Sequence, residues 1–310
     1  MPGLIFKRFL SAIPTLLVLV TAAFFLMRAV PGGPFAGERN LPPQVEQNLL
    51  AAYHLDESLG RQYLRYLVNL CKGDLGPSFQ YPDYDVAELI AAGLPYSLQL
   101  GGLAFLLALA LGIPAGVVAA RRANTWVDAS IMGVSLVGIS VPNFVVAPLL
   151  VLVFAIYLDW LPAMAVEAGS GMGLRNMVLP VIALALPQIA YIARITRSSM
   201  LEVLSAGFIT MARARGLSSR RVLWGHALRP ALLPVVSYVG PAAAALLTGS
   251  VVVETIFGIP GIGRYFVQGA VNRDYTLVMG VVVFYGVLVI AFNLVVDIGY
   301  RLIDPRLRRA

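Results

Sequence analysis

The chain has 310 residues, of which 59% are hydrophobic and only 13% are charged, and its mean hydropathy is +0.81. This composition exceeds what the core of a soluble protein of that length requires, so water is not the only solvent of this chain. The single cysteine, Cys71, excludes an internal disulfide and a cysteine-based zinc site. The net charge of +7 does not predict nucleic-acid binding here, because a membrane sorts Lys and Arg between its two faces.

Six segments are free of Asp, Glu, Lys and Arg and are long enough to cross a membrane. A span needs about 20 apolar residues, and a charge at its centre costs about 2.5–3.5 kcal/mol. The alternating pattern of an outer-membrane strand is absent, which favours helices. We therefore predict an all-α integral membrane protein with six transmembrane helices, which cover residues 9–27, 89–121 without the terminal Arg121, 129–158, 176–193, 230–253 and 275–296.

The first of these segments follows Lys7 and Arg8, as the core of a secretory signal would. It is longer than the roughly 7 to 15 residues of such a core, and no small-x-small cleavage pattern ends it before Arg28. We expect it to remain in the protein as an uncleaved membrane anchor.

Basic residues cluster between alternate segments and therefore on one face of the membrane. By the positive-inside rule that face is the cytoplasm, and both chain termini are predicted to lie there. The residues concerned are Lys7, Arg8, Arg121, Arg122, Arg194, Arg197, Arg213, Arg215, Arg220, Arg221, Arg229, Arg301, Arg306, Arg308 and Arg309.

The opposite face receives a long acidic segment with helix-like spacing around 44–53 and 59–70, which Gly73 then interrupts. We expect a small folded cap there, with one apolar face formed by Tyr63, Leu64, Leu67 and Leu70. The predicted organisation is a cytoplasmic tip with the first helix over 1–30, an extracytoplasmic segment over 31–88, and a five-helix core over 89–310 with a cytoplasmic loop over 194–229.

Prolines and glycines interrupt the predicted helices. In a bilayer such breaks are tolerated where neighbouring groups satisfy the freed carbonyls, and small residues allow helices to approach closely. Kinked and closely packed helices suit a gated pathway, although both residue types are common in membrane helices in general. The residues are Pro114, Pro142, Pro148, Pro180, Pro187, Gly112, Gly116, Gly133 and Gly138.

The loop 194–229 is too long for a tight turn and too basic to enter lipid. Its spacing from 204 to 215 predicts a short helix about 18 Å long, and Gly216 is suited to end that helix in the left-handed conformation. Ser218 or Ser219 can cap a second helix that extends to Arg229 and leads into the fifth span. The apolar row of the first helix consists of Leu204, Phe208, Met211 and Ala212, flanked by Arg213 and Arg215.

Two interpretations of this first helix remain open from its residues alone. An amphipathic helix with flanking guanidinium groups fits a groove on a partner protein. The same pattern is typical of an interfacial helix that lies on anionic lipid, with the arginines as headgroup anchors.

The run ARARGLSSRRVLWGHALRPALLP, which begins at Ala212, resembles the EAA loop of ABC importer permeases. Its form is similar to that of B-type permeases in the oligopeptide and dipeptide branch, which usually have Arg-Ala-Lys-Gly where this chain has Arg-Ala-Arg-Gly at 213–216. The glutamate of the generic motif is missing near Thr210, as it is in that branch. The resemblance extends to RFLSAIPTLLVLVTAAFFLMRAVPGGPF, YHLDESLGRQYLRYL, GDLGPSFQY, SVPNFVVAPLL and VVVETIFGIPGIGRYFVQGAVNRDY.

This resemblance implies the ABC type I importer permease fold in the bacterial cytoplasmic (inner) membrane, surrounded by lipid. It implies a homologous second permease, two ATPase subunits that carry ATP and Mg, an extracytoplasmic peptide-binding protein and a peptide substrate. No P-loop of the form GxxxxGK[ST] occurs in this chain, so ATP hydrolysis is expected on another chain. We expect no catalytic residue, bound cofactor or metal here. The implied ATPase-coupling residues are Leu204, Phe208, Met211, Ala212, Arg213, Ala214, Arg215 and Gly216.

The external loop after the fifth span is apolar and rich in glycine, so it can dip toward the pathway or lie at headgroup depth. The resemblance favours contact with the binding protein or an outer gate by Phe257, Pro260, Gly261, Gly263 and Tyr265. Glu254 and Asp297 lie close to span ends, where a carboxylate can reach water or pair with Arg, so a structural role is expected for both.

The alternative function is a secondary transporter or channel that works alone. Such proteins usually need ionisable groups inside the membrane, and the six segments contain none. A hydrolase finds little support, because His54 is predicted outside and His226 inside, so the two histidines cannot share a site.

Overall fold

The computed structural model describes residues 2–29, 33–34, 43–81, 83–165, 173–248 and 250–303, and these are almost entirely helical. Helices satisfy their own backbone hydrogen bonds, which apolar surroundings demand. In chain order they are α1 (Pro2–Ala29), α2 (Pro43–Ala52), α3 (Leu59–Cys71), α4 (Val86–Arg121), α5 (Trp126–Ser140), α6 (Asn143–Leu150), α7 (Leu174–Leu204), α8 (Gly207–Ala214), α9 (Ser219–Arg221), α10 (Leu228–Ala231), α11 (Leu233–Thr248), α12 (Val251–Ile256), α13 (Ile262–Val271) and α14 (Tyr275–Ile303). Two π-helical segments, Val151–Tyr157 and Val222–Ala227, continue α6 and α9.

Five helical stretches among the described residues are long and apolar enough to cross a membrane, namely Leu10–Ala29, Val86–Arg121, Leu174–Leu204, Leu233–Ile256 and Tyr275–Gly299. The predicted third span is instead a pair of helical pieces, Trp126–Ser140 and Asn143–Tyr157, bent by 104°. The predicted number of six is reached only when this bent pair counts as one span.

The bend in this pair has a local cause at Pro142. Val141 before it is extended, with φ −86° and ψ 119°, as the residue preceding a proline prefers. Pro142 has no N–H to continue the helical ladder and is itself extended, with φ −64° and ψ 146°, directly before α6 begins at Asn143. Of the other predicted interruptions, Pro114, Pro148, Pro180 and Pro187 lie inside helices, so only Pro142 produces a break.

Close approach between α4 and α7 depends on two of the predicted glycines. A Cβ atom on Gly116 would lie 2.5 Å from both the carbonyl oxygen of Ala193 and the Cβ of Thr196. A Cβ on Gly112 would lie 2.9 Å from side-chain atoms of Ile192. At Gly133 such a Cβ would have no atom within 4 Å. The prediction that small residues allow close helix packing therefore holds for Gly112 and Gly116 but not for Gly133.

Replacing Gly116 by alanine is expected to lower the free energy of unfolding by about 2–3 kcal/mol, because the added methyl group meets the backbone of α7. Gly133→Ala is the matched control, since its methyl group meets no atom and alanine favours the helix. Thermal unfolding of the detergent-purified variants measures both. Equal unfolding temperatures would show that α4 and α7 can separate without cost.

Contacts divide the chain into two compact units, of which the first comprises Met1–Tyr96 and Pro260–Ile290 and the second Ser97–Ile259 and Ala291–Ala310. In the first unit, the predicted outer helices are present as α2 and α3, and α3 ends before Gly73, whose φ is +79°. One face of α3 packs on Val20 and Phe24 through Tyr63, Tyr66, Leu67 and Leu70. The assignment of Leu64 to this face was wrong, because its side chain is 63% exposed.

The first unit also ties its outer segment to the start of α14 through Asp274, which is fully buried. Its Oδ2 atom accepts hydrogen bonds from the Ser78 hydroxyl (2.5 Å) and the Gln80 N–H (3.0 Å). Its Oδ1 atom accepts from the Thr276 hydroxyl (2.9 Å) and the Leu277 N–H (3.0 Å). Asp274 therefore caps α14 and fixes the chain around Ser78 at the same time.

Candidate functional site

The predicted coupling loop contains a short helix, α8, that begins at Gly207 and not at Leu204. Leu204 is the last residue of α7, and Ser205 and Ala206 separate the two helices. Its side chain is partly buried and packs against the core of the loop. Leu204 therefore supports the loop from α7, and its assignment to the short helix was wrong.

The two sides of α8 differ in exposure. Ile209 is fully buried and Ala212 is 7% exposed, in a cluster that also contains Met200, Val222 and Ala227. Phe208 and Met211 point away from this cluster and are 50% and 59% exposed. The predicted apolar row is thus divided, with Ala212 anchoring the helix and Phe208 and Met211 forming two exposed apolar knobs.

The end of α8 is exposed as well, at Arg213, Ala214, Arg215 and Gly216. Gly216 has φ +79°, the left-handed conformation predicted for it, and its N–H donates to the Arg213 carbonyl (2.9 Å). The N–H of the following Leu217 donates to the Ala212 carbonyl (3.3 Å). The chain thus reverses tightly behind two exposed guanidinium groups.

The second helix of the loop is continuous from α9 through the π-helical segment to α10. Leu223 and Ala227 are buried on the same cluster as α8, whereas Trp224 is 51% exposed. Trp224 lines an open groove together with Ser218, Arg220 and Arg221. The two helices of the loop therefore share one buried core, and α10 leads directly into α11.

The five residues of the predicted outer loop lie in different surroundings. In the second unit, Phe257 is fully buried, and its carbonyl accepts a hydrogen bond from the Ala165 N–H (2.9 Å). In the first unit, Gly261 and Gly263 are buried and Pro260 is partly buried. Burial also raises the pKa of the partly buried Tyr265 above its usual value. Packed as it is here, Phe257 offers no surface to a binding protein.

The second unit contains a buried carboxyl group whose burial and hydrogen-bond partners were not predicted from the sequence. Glu254 is fully buried in α12, and its Oε1 atom accepts hydrogen bonds from the hydroxyls of Ser97 (2.8 Å) and Ser250 (2.6 Å). Its Oε2 atom has no hydrogen-bond partner among the described residues. The expectation that Glu254 reaches water or an arginine was wrong, since two serines hold it inside the protein.

An ion pair between α5 and α7 was also missed. Asp128 receives two hydrogen bonds from Arg197, at 2.5 and 2.6 Å, and one from the Asn124 N–H at 3.0 Å. Both charges belong to stretches that count as candidate spans, and so does Glu254. The six predicted segments are free of charge, but the helices extend beyond them and carry these ionisable groups near the segment ends.

Apolar helices long enough to cross a membrane, together with an exposed basic loop, are typical of a polytopic membrane protein. Residues 112–309 match the family described as "Binding-protein-dependent transport system inner membrane component". The chain belongs to this family, and it is thus an inner membrane component with several apolar helices.

Particular relatives refine this classification. The chain is 54% identical over 304 residues to the oligopeptide transport system permease protein OppB of Salmonella typhimurium, with 98% of each chain covered. It is 44% identical to the dipeptide transport system permease protein DppB of Bacillus subtilis, with 97% of this chain and 96% of that protein covered. The resemblance to the oligopeptide and dipeptide branch is confirmed, and the prediction that the chain is not an enzyme agrees with relatives named as permeases.

Solved structures show the fold. A chain of the MetNI methionine ABC transporter, solved in an inward-facing conformation, matches with a TM-score of 0.56 at 17% identity and covers 70% of this chain and 97% of its own. An amino acid ABC transporter solved with histidines gives a TM-score of 0.54 at 19% identity, with 69% and 94% covered. The predicted ABC importer permease fold is confirmed.

Proposed function

We propose that this chain is a permease subunit of an ATP-driven oligopeptide importer and forms half of its translocation pathway. The observation that carries the substrate class is the 54% identity, over nearly the whole chain, to a protein named as an oligopeptide permease. The other half of the pathway is a homologous second permease, and an extracytoplasmic peptide-binding protein delivers the peptide. ATP and Mg are bound by two separate ATPase subunits.

The ATPase subunits act on this chain through the surface of α8 and its end. The exposed knobs Phe208 and Met211, flanked by Arg213 and Arg215, support this assignment, because apolar anchors with a basic rim suit a protein groove. Ile209 and Ala212 link the knobs to the core of the loop. Closure of the ATPases then moves the loop as a rigid body, together with the spans that follow it.

Both termini and the coupling loop lie in the cytoplasm of the bacterial cell. The arginines support this topology, since Arg121, Arg122 and the loop 194–229 fall on one face only if the bent pair of α5 and α6 crosses the membrane completely. A pair that turned back would place the loop and its arginines outside. The loop 257–265 then lies outside, where Pro260 and Tyr265 are available to an outer gate or to the binding protein.

The proposal and its alternative, a stand-alone secondary transporter or channel, differ in their need for partners. The expected result is that proteoliposomes take up a labelled oligopeptide only when the second permease, both ATPase subunits, the binding protein and ATP are present. A tagged chain should also copurify with the ATPase subunits. Uptake by the purified chain alone, driven by an ion gradient, would establish the alternative.

A further inference from the structure

Arg28, the last residue but one of the first span, forms no ion pair within 4.0 Å with a carboxylate of the described residues. Its guanidinium carbon lies 3.6 Å from the centroid of the Phe24 ring and 5.4 Å from that of Tyr275. Its Nε atom donates to the side-chain carbonyl of Gln62 (3.0 Å). A partly buried charge without a counter-charge is costly, so an anion from outside the chain would stabilise this arrangement.

The position of the guanidinium group is fixed by its neighbours. The Gln62 amide nitrogen donates to the carbonyls of Leu55 (3.0 Å) and Glu57 (2.8 Å), which leaves the Gln62 carbonyl directed at Arg28. An arginine at a span end ordinarily extends its head group into water. Arg28 is instead stacked between aromatic rings and held inside the protein, so its site is preorganised for binding.

Arg28 lines a cavity of about 170 Å³ within the first unit. Tyr66 lines the same cavity, and its hydroxyl oxygen is buried without a hydrogen-bond partner among the described residues. Burial raises the pKa of Tyr66 to about 12, so the hydroxyl remains protonated and can donate. A buried donor without an acceptor costs about 1–3 kcal/mol, which an acceptor in the cavity would recover.

The surroundings of α1 indicate where such an anion comes from. Only 17% of the most apolar window of the first span is buried, and Phe25 and Leu26 just before Arg28 are exposed. This helix therefore presents an apolar surface that suits contact with lipid up to the cavity. Asp74 also lines the cavity, and its carboxylate disfavours an anion of high charge. Free phosphate at neutral pH is a mixture of the singly and doubly charged anions, whereas the diester of a phospholipid carries a single charge.

We propose that this cavity binds the phosphodiester of a phospholipid headgroup, with the Arg28 guanidinium as its cation and the Tyr66 hydroxyl as a second donor. The site anchors the outer end of α1 and the cap helix α3 to the same lipid molecule. It is independent of the transported substrate, and no ATP or partner subunit enters it.

The test is lipid binding to the purified full-length chain, measured by native mass spectrometry during titration with phosphatidylglycerol. Arg28→Gln is expected to weaken binding about tenfold, as loss of a charge-assisted contact does. Tyr66→Phe keeps the ring and removes only the hydroxyl, and a weakening of about fivefold is expected. Arg61→Gln is the matched control, because it removes an equal charge from an exposed position on α3.

Three outcomes overturn the proposal. Equal lipid binding by the unsubstituted chain and by both Tyr66→Phe and Arg28→Gln would show that the cavity holds no headgroup. An equal loss in Arg61→Gln would reduce the effect to general surface charge. Displacement of the lipid by millimolar inorganic phosphate, in competition for Arg28, would identify a free-anion site. Should Arg28→Gln fail to fold, Tyr66→Phe decides alone, since it keeps the ring and removes only the hydroxyl: unchanged lipid binding by that variant overturns the proposal.

Discussion

Replacing Phe208 and Met211 together by alanine is expected to lower ATP-driven uptake about 30-fold while the chain still folds and inserts. Phe208 is 50% exposed and Met211 is 59% exposed, so their loss leaves the buried core of the loop intact. An apolar anchor at the centre of an interface is worth about 2 kcal/mol or more, which corresponds to this factor. Copurification of the ATPase subunits and peptide uptake into proteoliposomes measure the effect.

Two controls give this experiment its meaning. Leu64→Ala removes an equally exposed apolar side chain from α3 and should change neither readout. Ile209→Ala opens a cavity under α8 and should instead lower the free energy of unfolding by about 2–4 kcal/mol. If the double variant binds anionic vesicles less well yet retains its ATPases and its uptake, α8 is a lipid anchor and not a coupling surface.

Replacing Glu254 by alanine is expected to lower the free energy of unfolding by about 2–4 kcal/mol. The change removes the Oε1 acceptor shared by the Ser97 and Ser250 hydroxyls, of which Ser250 keeps the longer contact to the Leu247 carbonyl (3.2 Å), and it opens a void at a fully buried position. Glu254→Gln keeps a carbonyl oxygen for both serines, so a loss of about 1 kcal/mol or less is expected. Denaturant unfolding in detergent compares the two variants.

Thr255→Ala is the control for the Glu254 series, because Thr255 is the next residue of α12, is exposed, and donates only to the Val251 carbonyl of its own helix. Ser97→Ala should cost about 1 kcal/mol, the value of a single hydrogen bond. If the Glu254→Ala variant proves as stable as the unsubstituted chain, α4 and α12 are held together without the hydrogen bonds of Glu254 to Ser97 and Ser250.

The interiors of the spanning helices could be predicted from the sequence, because a charge in lipid is so costly that uncharged segments reveal them. The ends of these helices could not. The fourth predicted span stopped at residue 193, yet α7 continues to Leu204 and includes Arg197. Arg197 is tolerated in this helix because Asp128, 69 residues earlier, forms an ion pair with it. No sequence pattern near Arg197 predicts a partner so distant in the chain.

The orientation of α8 was beyond sequence reasoning for a related reason. Apolar residues occur on both of its sides, and the spacing of Phe208, Met211 and Ala212 is as regular as that of Ile209 with Ala212. Only the core supplied by Met200 and Val222 decides that Ile209 is buried and Phe208 exposed. Likewise, Ser97 lies 157 residues before Glu254, so nothing in the sequence near Glu254 indicates that it is held by serines.

The length of α7 has a mechanical consequence. Its 31 residues span about 46 Å at 1.5 Å per residue, whereas the hydrocarbon layer is about 30 Å thick. The excess of about 15 Å corresponds to about the last ten residues of α7, which include Arg197, paired with Asp128 of α5, and the exposed Glu202. A helix of this length is expected to project past the hydrocarbon layer, so α8, which follows after two residues, should lie outside that layer. Phe208 and Met211 would then be within reach of a water-soluble partner.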